Sequence, residues 1–154
     1  MRRTIATIVA SGLIALAGTA SARADDAVGF EAQVNQLTLR SSSCEAGVCA
    51  VAFEGSGAAN RMGRITFNIA LKQDFNITPC NPYTGSVTFT GATGSITLSD
   101  QGTVCGNTGP STISSDWHIT SGTGGFNGIT GNGTSRGTIG PNGPVVHFSG
   151  SVSY

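Results

Sequence analysis

Apolar and polar side chains alternate along most of this chain. In "GRITFNIALKQDF", Ile65, Phe67, Ile69 and Leu71 share one parity, with Thr66, Asn68, Lys72 and Asp74 on the other. The closing segment "VVHFSGSVSY" sets Val146, Phe148, Val152 and Tyr154 against His147, Ser149, Ser151 and Ser153. In "ISSDWHIT", Ile113, Trp117 and Ile119 oppose Asp116 and His118. A period of two sustained in this way marks strands with one buried face. "AVGFEAQVNQLTLR" alternates through Val28, Phe30, Ala32 and Val34, then changes phase to Leu37 and Leu39. A one-residue slip inside a long strand is the signature of a β-bulge, which the pattern puts near Asn35-Gln36.

Counting segments predicts eight strands, at about 27–39, 49–57, 62–74, 85–91, 95–104, 112–121, 126–139 and 144–154. The connections are rich in Gly, Pro and Asn ("EAGVC", "PCNPYTG", "GATG", "GNTGP", "GTGG", "GPNGP"), and short connections imply antiparallel neighbours. No window after Ala24 shows helical spacing with caps, so no helix is expected beyond that point. Eight antiparallel strands can close into a small barrel, which removes vulnerable sheet edges. A two-sheet β-sandwich is the alternative that the pattern leaves open.

The first 24 residues break this rhythm. Arg2 and Arg3 form a charged start, Ile5 to Leu16 an apolar stretch, and Ala22-Arg23-Ala24 a small-residue cleavage site. This is the layout of a bacterial secretory signal peptide, with an apolar core too short for a comfortable membrane span. Residues 25–154 then make a single domain of 130 residues in the secreted or periplasmic space. Of the eight basic residues, Arg2, Arg3 and Arg23 leave with the signal while all eight acidic ones stay, so the mature charge is −3. With Lys72 as its one lysine, such a chain has no basic footprint for nucleic acid or anionic lipid, and neither nucleic acid nor membrane insertion is expected.

Export also makes the cysteines legible. Cys44, Cys49, Cys80 and Cys105 are an even set in an oxidising compartment, where two disulfides are the default. Of three connectivities, Cys44–Cys49 and Cys80–Cys105 is favoured because each pair closes a short stretch between predicted strands. The chain-entropy model assigns roughly 2 kcal/mol to the first loop and roughly 3.5 kcal/mol to the second. Zinc would ask for thiolates at shorter paired spacings, so no metal and no cofactor is expected.

The most unusual stretch is "SGTGGFNGITGNGTSRG", with seven glycines in residues 121–137. A dinucleotide fingerprint needs Gly at i, i+2 and i+5 before a helix, but Asn127 and Arg136 stand at the third position of the two candidates. Gly133-Thr134-Ser135-Arg136-Gly137 spells the nucleophile elbow G-x-S-x-G, a motif that works only on a strand-to-helix turn. No helix is expected there. The remaining reading is structural: Gly124-Gly125 makes a tight turn, Phe126 packs inward, and the later glycines let a strand bend sharply.

The residues Gly122, Thr123, Gly124, Phe126 and Gly131, followed by the closing strand "VVHFSGSVSY", resemble the penultimate and last strands of allene oxide cyclase-like and dirigent-like barrels. Short exported bacterial proteins carry a segment similar to "GSGAANRMGRITF", here residues 55–67. The resemblance implies an eight-stranded antiparallel barrel, often a homotrimer, whose interior holds an apolar small molecule. Related plant proteins steer cyclisation or radical coupling of such molecules.

Candidate chemistry is sparse. Asp116 and His118 lie two apart on one strand face, where a carboxylate beside an imidazole can serve as general base and orienting partner. The plainer reading is a solvated polar face, and His147, Glu31, Glu54 and Asp74 fall on similar faces. Phe67, Phe89, Trp117, Phe126 and Phe148 are either filled core or the lining of a ligand cavity, since eight strands sit at the size where both occur. Three functions follow. The leading one is a non-catalytic exported barrel that binds an apolar small molecule or an envelope component. The others are a cyclase- or isomerase-type enzyme and a structural or adhesive surface protein.

Overall fold

A computed structural model of the protein describes residues 27–106 and 110–154. The expected signal peptide lies outside the described residues. Eight strands run in chain order: β1 (Val28–Glu45), β2 (Val48–Ala59), β3 (Gly63–Asp74), β4 (Cys80–Gly91), β5 (Gly94–Cys105), β6 (Ser111–Gly122), β7 (Thr130–Gly140) and β8 (Gly143–Ser153). Each pairs antiparallel with its neighbour, and β8 pairs back onto β1, so the sheet closes into an up-and-down barrel. The barrel, not the sandwich, is the architecture.

Alternation decides which side chains point inward. Phe30, Ile65, Phe67, Val87, Phe89, Ile96, Leu98, Trp117, Phe148 and Val152 are all buried inside the barrel. Phe30 is the hub of the aromatic packing, edge-on to Trp117 with ring centres 5.7 Å apart and tilted against Phe89 at 6.1 Å. Phe89 meets Phe148 edge-on at 5.2 Å. The intervening polar residues, Asp116 and His118 among them, face solvent.

The phase change in β1 is a real irregularity. The register with β2 shifts between Asn35 and Thr38, and Gln36 adopts a φ of +59°. From there β1 leaves β8, whose pairing with it ends at Val34↔Val146, and continues as an arm paired with β2 alone, while β2 itself stays paired to β3 as far as Val48↔Asp74. The arm carries the strand to Glu45, six residues past the expected end. Thr38 to Glu45 are all exposed, so no alternation announces them.

Strand β4 also begins earlier than its apolar pattern suggests. "PCNPYTG" reads as a connection because of its prolines, yet Cys80, Asn81 and Pro82 pair with Cys105, Val104 and Thr103 of β5. Pro82 is tolerated because the β3 pairing of β4 starts only at Tyr83, so no ladder bond on that side needs its missing N–H.

Strand β7 starts at Thr130 instead of Phe126. Gly124–Phe126 form a single 3-10 turn in between, with Gly124 at φ +59°. The turn is bound to the β4–β5 hairpin: the Gly125 N–H donates to the Thr93 carbonyl at 2.8 Å, and the Ser95 N–H to Thr123 Oγ1 at 3.1 Å.

Both disulfides have the favoured connectivity, Cys44–Cys49 and Cys80–Cys105. Each joins directly opposed residues of a strand pair, β1 with β2 and β4 with β5. Both lie at the same end of the barrel.

Candidate functional site

The two ends of the barrel are built differently. At the end that carries the 3-10 turn, Phe126, Ile129 and Met62 fold in and are buried. Asn60 ties the β2–β3 turn to β1 there: its N–H donates to the Glu31 carbonyl at 2.9 Å and its side-chain amide to the Gly29 carbonyl at 3.1 Å. At the disulfide end the inward-facing apolar side chains Phe53, Leu71 and Ile113 are only partly buried. Leu39, Val48, Phe75, Ile77 and Ile139 are exposed at the same end, five of the six large exposed hydrophobics of the described residues.

Inward positions at the disulfide end also change chemistry. Following the register around the wall, Gly85 of β4 faces Asp100 of β5, and Asp100 faces Trp117 of β6. One step toward the mouth, Tyr83 faces Gly102, Gly102 faces Ser115, and Ser115 faces Ser135 of β7. Aromatic packing thus gives way to a carboxyl, a phenol, two hydroxyls and glycine. Asp100 is 4% exposed, and Ser115, Ser135 and Tyr83 are likewise buried.

The polar groups pair among themselves, with one exception. Tyr83 donates its hydroxyl to Asp100 Oδ2 at 3.1 Å, and the Ser115 and Ser135 hydroxyls meet at 2.5 Å. Asp100 Oδ1 is buried and has no hydrogen-bond partner. Among the described residues it stands alone in this respect, and an unpartnered buried polar atom is costly enough to call for an explanation.

Burial pushes the Asp100 carboxyl above its ordinary value, with the Ser115 and Tyr83 hydroxyls pulling partly back and the Asp116 charge adding to the rise. Burial likewise raises the Tyr83 phenol, helped by the neighbouring Asp100. Both effects favour the protonated forms.

Asp116 and His118, the pair singled out by spacing, sit on the outer face of β6, opposite Thr134 and Asn132 of β7. The structure brings neither of them into the interior. His147 and Glu31 line a shallow outer groove of about 630 Å³ together with Gln33, Ala58, Asn60 and Arg64. Glu54 pairs with Arg40 on the β1–β2 arm. The aromatic candidates Phe67, Phe89, Trp117, Phe126 and Phe148 are all interior and packed against one another or their neighbours.

Ser135, the serine of the G-x-S-x-G match, faces inward and is hydrogen-bonded to Ser115, with no histidine in its hydrogen-bond shell. The glycines around it have a packing role. A Cβ on Gly133 would lie 2.5 Å from the Trp117 indole, and one on Gly150 would lie 2.6 Å from it. These two positions form the bed on which the indole rests, while its Nε1–H donates to the Thr134 carbonyl at 3.0 Å.

Sequence reasoning missed this cluster, although the parity of its residues carried a signal for it. Asp100 has the parity of Ile96 and Leu98 in "GSITLSDQGTVC", whereas Ser95, Thr97 and Ser99 hold the other. Tyr83 shares parity with Val87 and Phe89, and Ser115 with Ile113 and Trp117. A carboxylate on the apolar parity of a strand is the signal for a buried charge, and it is the one to search for.

Among the described residues no group of three His, Cys, Asp or Glu is placed to hold a metal ion, and no helix is long and apolar enough to cross a membrane. Comparison with protein-family models gives no match to this chain, and comparison with curated proteins gives none either.

Proposed function

We propose that the protein is an exported, non-catalytic barrel that binds a small, largely apolar molecule at its disulfide-bearing end. The asymmetry of the ends carries this reading: Phe53, Leu71 and Ile113 face inward yet stay partly exposed there, while Phe126, Ile129 and Met62 close the other end. Partly exposed apolar side chains pointing into a concave wall, with a few convergent polar groups beneath them, are the usual make-up of a small-molecule site. Two disulfides support an oxidising compartment, in keeping with the secretory signal read in residues 1–24. Kinship with allene oxide cyclase-like and dirigent-like barrels belongs to the same proposal, and rests on the turn residues together with the closed eight-stranded fold.

A second reading, a cyclase- or isomerase-type enzyme, is favoured by one observation. Asp100 is a buried carboxyl with a raised pKa beside a phenol, and perturbed acids of this kind occur disproportionately at reactive sites. Asp116 and His118, exposed on the outer wall, give that reading no support.

Native mass spectrometry of the protein exported and purified without denaturant tests the proposal. A defined small-molecule adduct that disappears on denaturation is expected. The same spectrum counts subunits, which tests the trimer implied by the resemblance, and its covalent mass reports cleavage after Ala24. Recovery of the adduct chemically unchanged after prolonged incubation supports a carrier, and conversion to a new species supports the enzyme. A ligand-free species that takes up no apolar compound overturns both.

A further inference from the structure

We propose that Asp100 anchors the hydroxyl end of a neutral, otherwise apolar alcohol held in the disulfide end of the barrel. The inference deepens the binding reading above and rests on it.

Oδ1 of Asp100 is buried and unpartnered, on a carboxyl whose other oxygen is held by Tyr83. Tyr83 commits its one hydroxyl proton to Oδ2, and Oδ1 has no hydrogen-bond partner. The chemistry of the head group follows from what surrounds it. Asp100 is the sole ionisable acid or base among the buried polar and charged described residues apart from the Tyr83 phenol, so an anionic head such as a carboxylate or phosphate would meet no compensating cation. An ammonium would need Asp100 ionised, the form that its burial disfavours. A hydroxyl both donates and accepts, so it pairs with the carboxyl in either protonation state. The body of the molecule must be apolar because the inward side chains near the cluster on the mouth side are Phe53, Leu71 and Ile113.

The wall supplies its own reporter. Trp117 is the one tryptophan of the chain and is the direct cross-strand partner of Asp100. Its emission will respond when a molecule settles against the carboxyl.

The experiment titrates the oxidised, purified protein at neutral pH with four probes of equal chain length, namely 1-octanol, octylamine, octanoate and 1-chlorooctane, and follows Trp117 fluorescence. Octanol is expected to bind about tenfold or more tightly than chlorooctane, which lacks the donor, and than octanoate, whose charge meets no buried cation. Asp100→Leu should reduce octanol to the level of chlorooctane, whereas Asp100→Asn, which keeps a donor and an acceptor, should stay within about threefold of the native protein. Equal binding of octanol and chlorooctane, tighter binding of octylamine, or undiminished octanol binding by a folded Asp100→Leu variant would each overturn the anchor while leaving an apolar site in place. No binding of any of the four would overturn the anchor and the binding reading together. The probe comparison on the native protein decides the matter even if Asp100→Leu does not fold.

Discussion

The two ends of the barrel solve the same problem by opposite means. At the 3-10 end, closure is by apolar mass: Phe126 and Ile129 fold back over the wall, Met62 joins them from the β2–β3 turn, and all three are buried in the core. At the disulfide end the wall outruns its filling. The β1–β2 arm extends past the last contact with β8, glycines stand at the inward positions 85, 102 and 137 with neighbouring strands close against them, and two covalent links join the strand pairs. The contrast teaches that a small barrel need not be stabilised uniformly. One end can be held by buried surface and the other by cross-links, and the cross-linked end is then free to carry buried polar groups that a packed core would exclude.

That contrast can be broken from its packed side first. Trp117→Ala removes the indole seated on Gly133 and Gly150 and in edge contact with Phe30, and should cost about 3–5 kcal/mol. Denaturant unfolding followed by far-ultraviolet circular dichroism checks it. A loss below about 1 kcal/mol would mean that the aromatic layer is not what holds this half together.

From the other side, replacing Cys80 and Cys105 by serine should cost about 3 kcal/mol and loosen the disulfide end selectively. The same change at Cys44 and Cys49 should cost less, since it closes a loop of sequence separation 5 instead of 25. Hydrogen exchange resolved along the chain is the measurement. Amides of β4 and β5 near the bridge should lose protection while those around Phe30 and Phe89 keep theirs. Uniform loss would erase the distinction between the ends.

The smallest effect sharpens the comparison through pH. Asp100 has a folded-state pKa raised above the ordinary 3.8, so the folded protein holds a proton that the unfolded chain has released. Stability from this group is fully present below that ordinary value and is lost as pH rises through the folded pKa. Tyr83 and Asp116 are the other titrating groups that act on it, and Tyr83, also raised, stays neutral throughout the acid range. Asp100→Asn should flatten this part of the profile and raise stability near neutral pH by about 1 kcal/mol. Urea midpoints of the two proteins from pH 4 upward are the check, and parallel profiles would show that Asp100 carries no such penalty.

Much of this architecture was legible without coordinates because alternation is a local signal. The parity of Ile65, Phe67, Ile69 and Leu71 assigns an inward face whatever the strand pairs with, and the slip at Asn35-Gln36 shows as a break in that parity. The favoured cysteine pairing was legible because Cys44 and Cys49 flank a tight turn and Cys80 and Cys105 bound one predicted hairpin. The strand ends at the disulfide end were not. Thr38 to Glu45 are exposed on both faces, and Pro82 reads as a breaker until its freedom from a β3 partner is known. The polar site was half legible. Asp116 and His118 attract attention because their chemistry is recognisable at short spacing, yet their own parity, opposite to Trp117, already turns them outward. Asp100 shares the parity of Ile96 and Leu98, and that is the observation that counts.

By itself, then, the sequence determined the strand count, the inward and outward faces, the cysteine pairs and the oxidising setting they suit, because each depends on residues close together along the chain. Only the tertiary structure decided that β8 returns to β1, that Phe126, Ile129 and Met62 fold in at one end, and that Tyr83, Asp100, Ser115 and Ser135 converge. Those four come from four different strands, and their meeting depends on the register of three separate pairings. Register is set by the whole closed sheet, so no single stretch of the chain contains it.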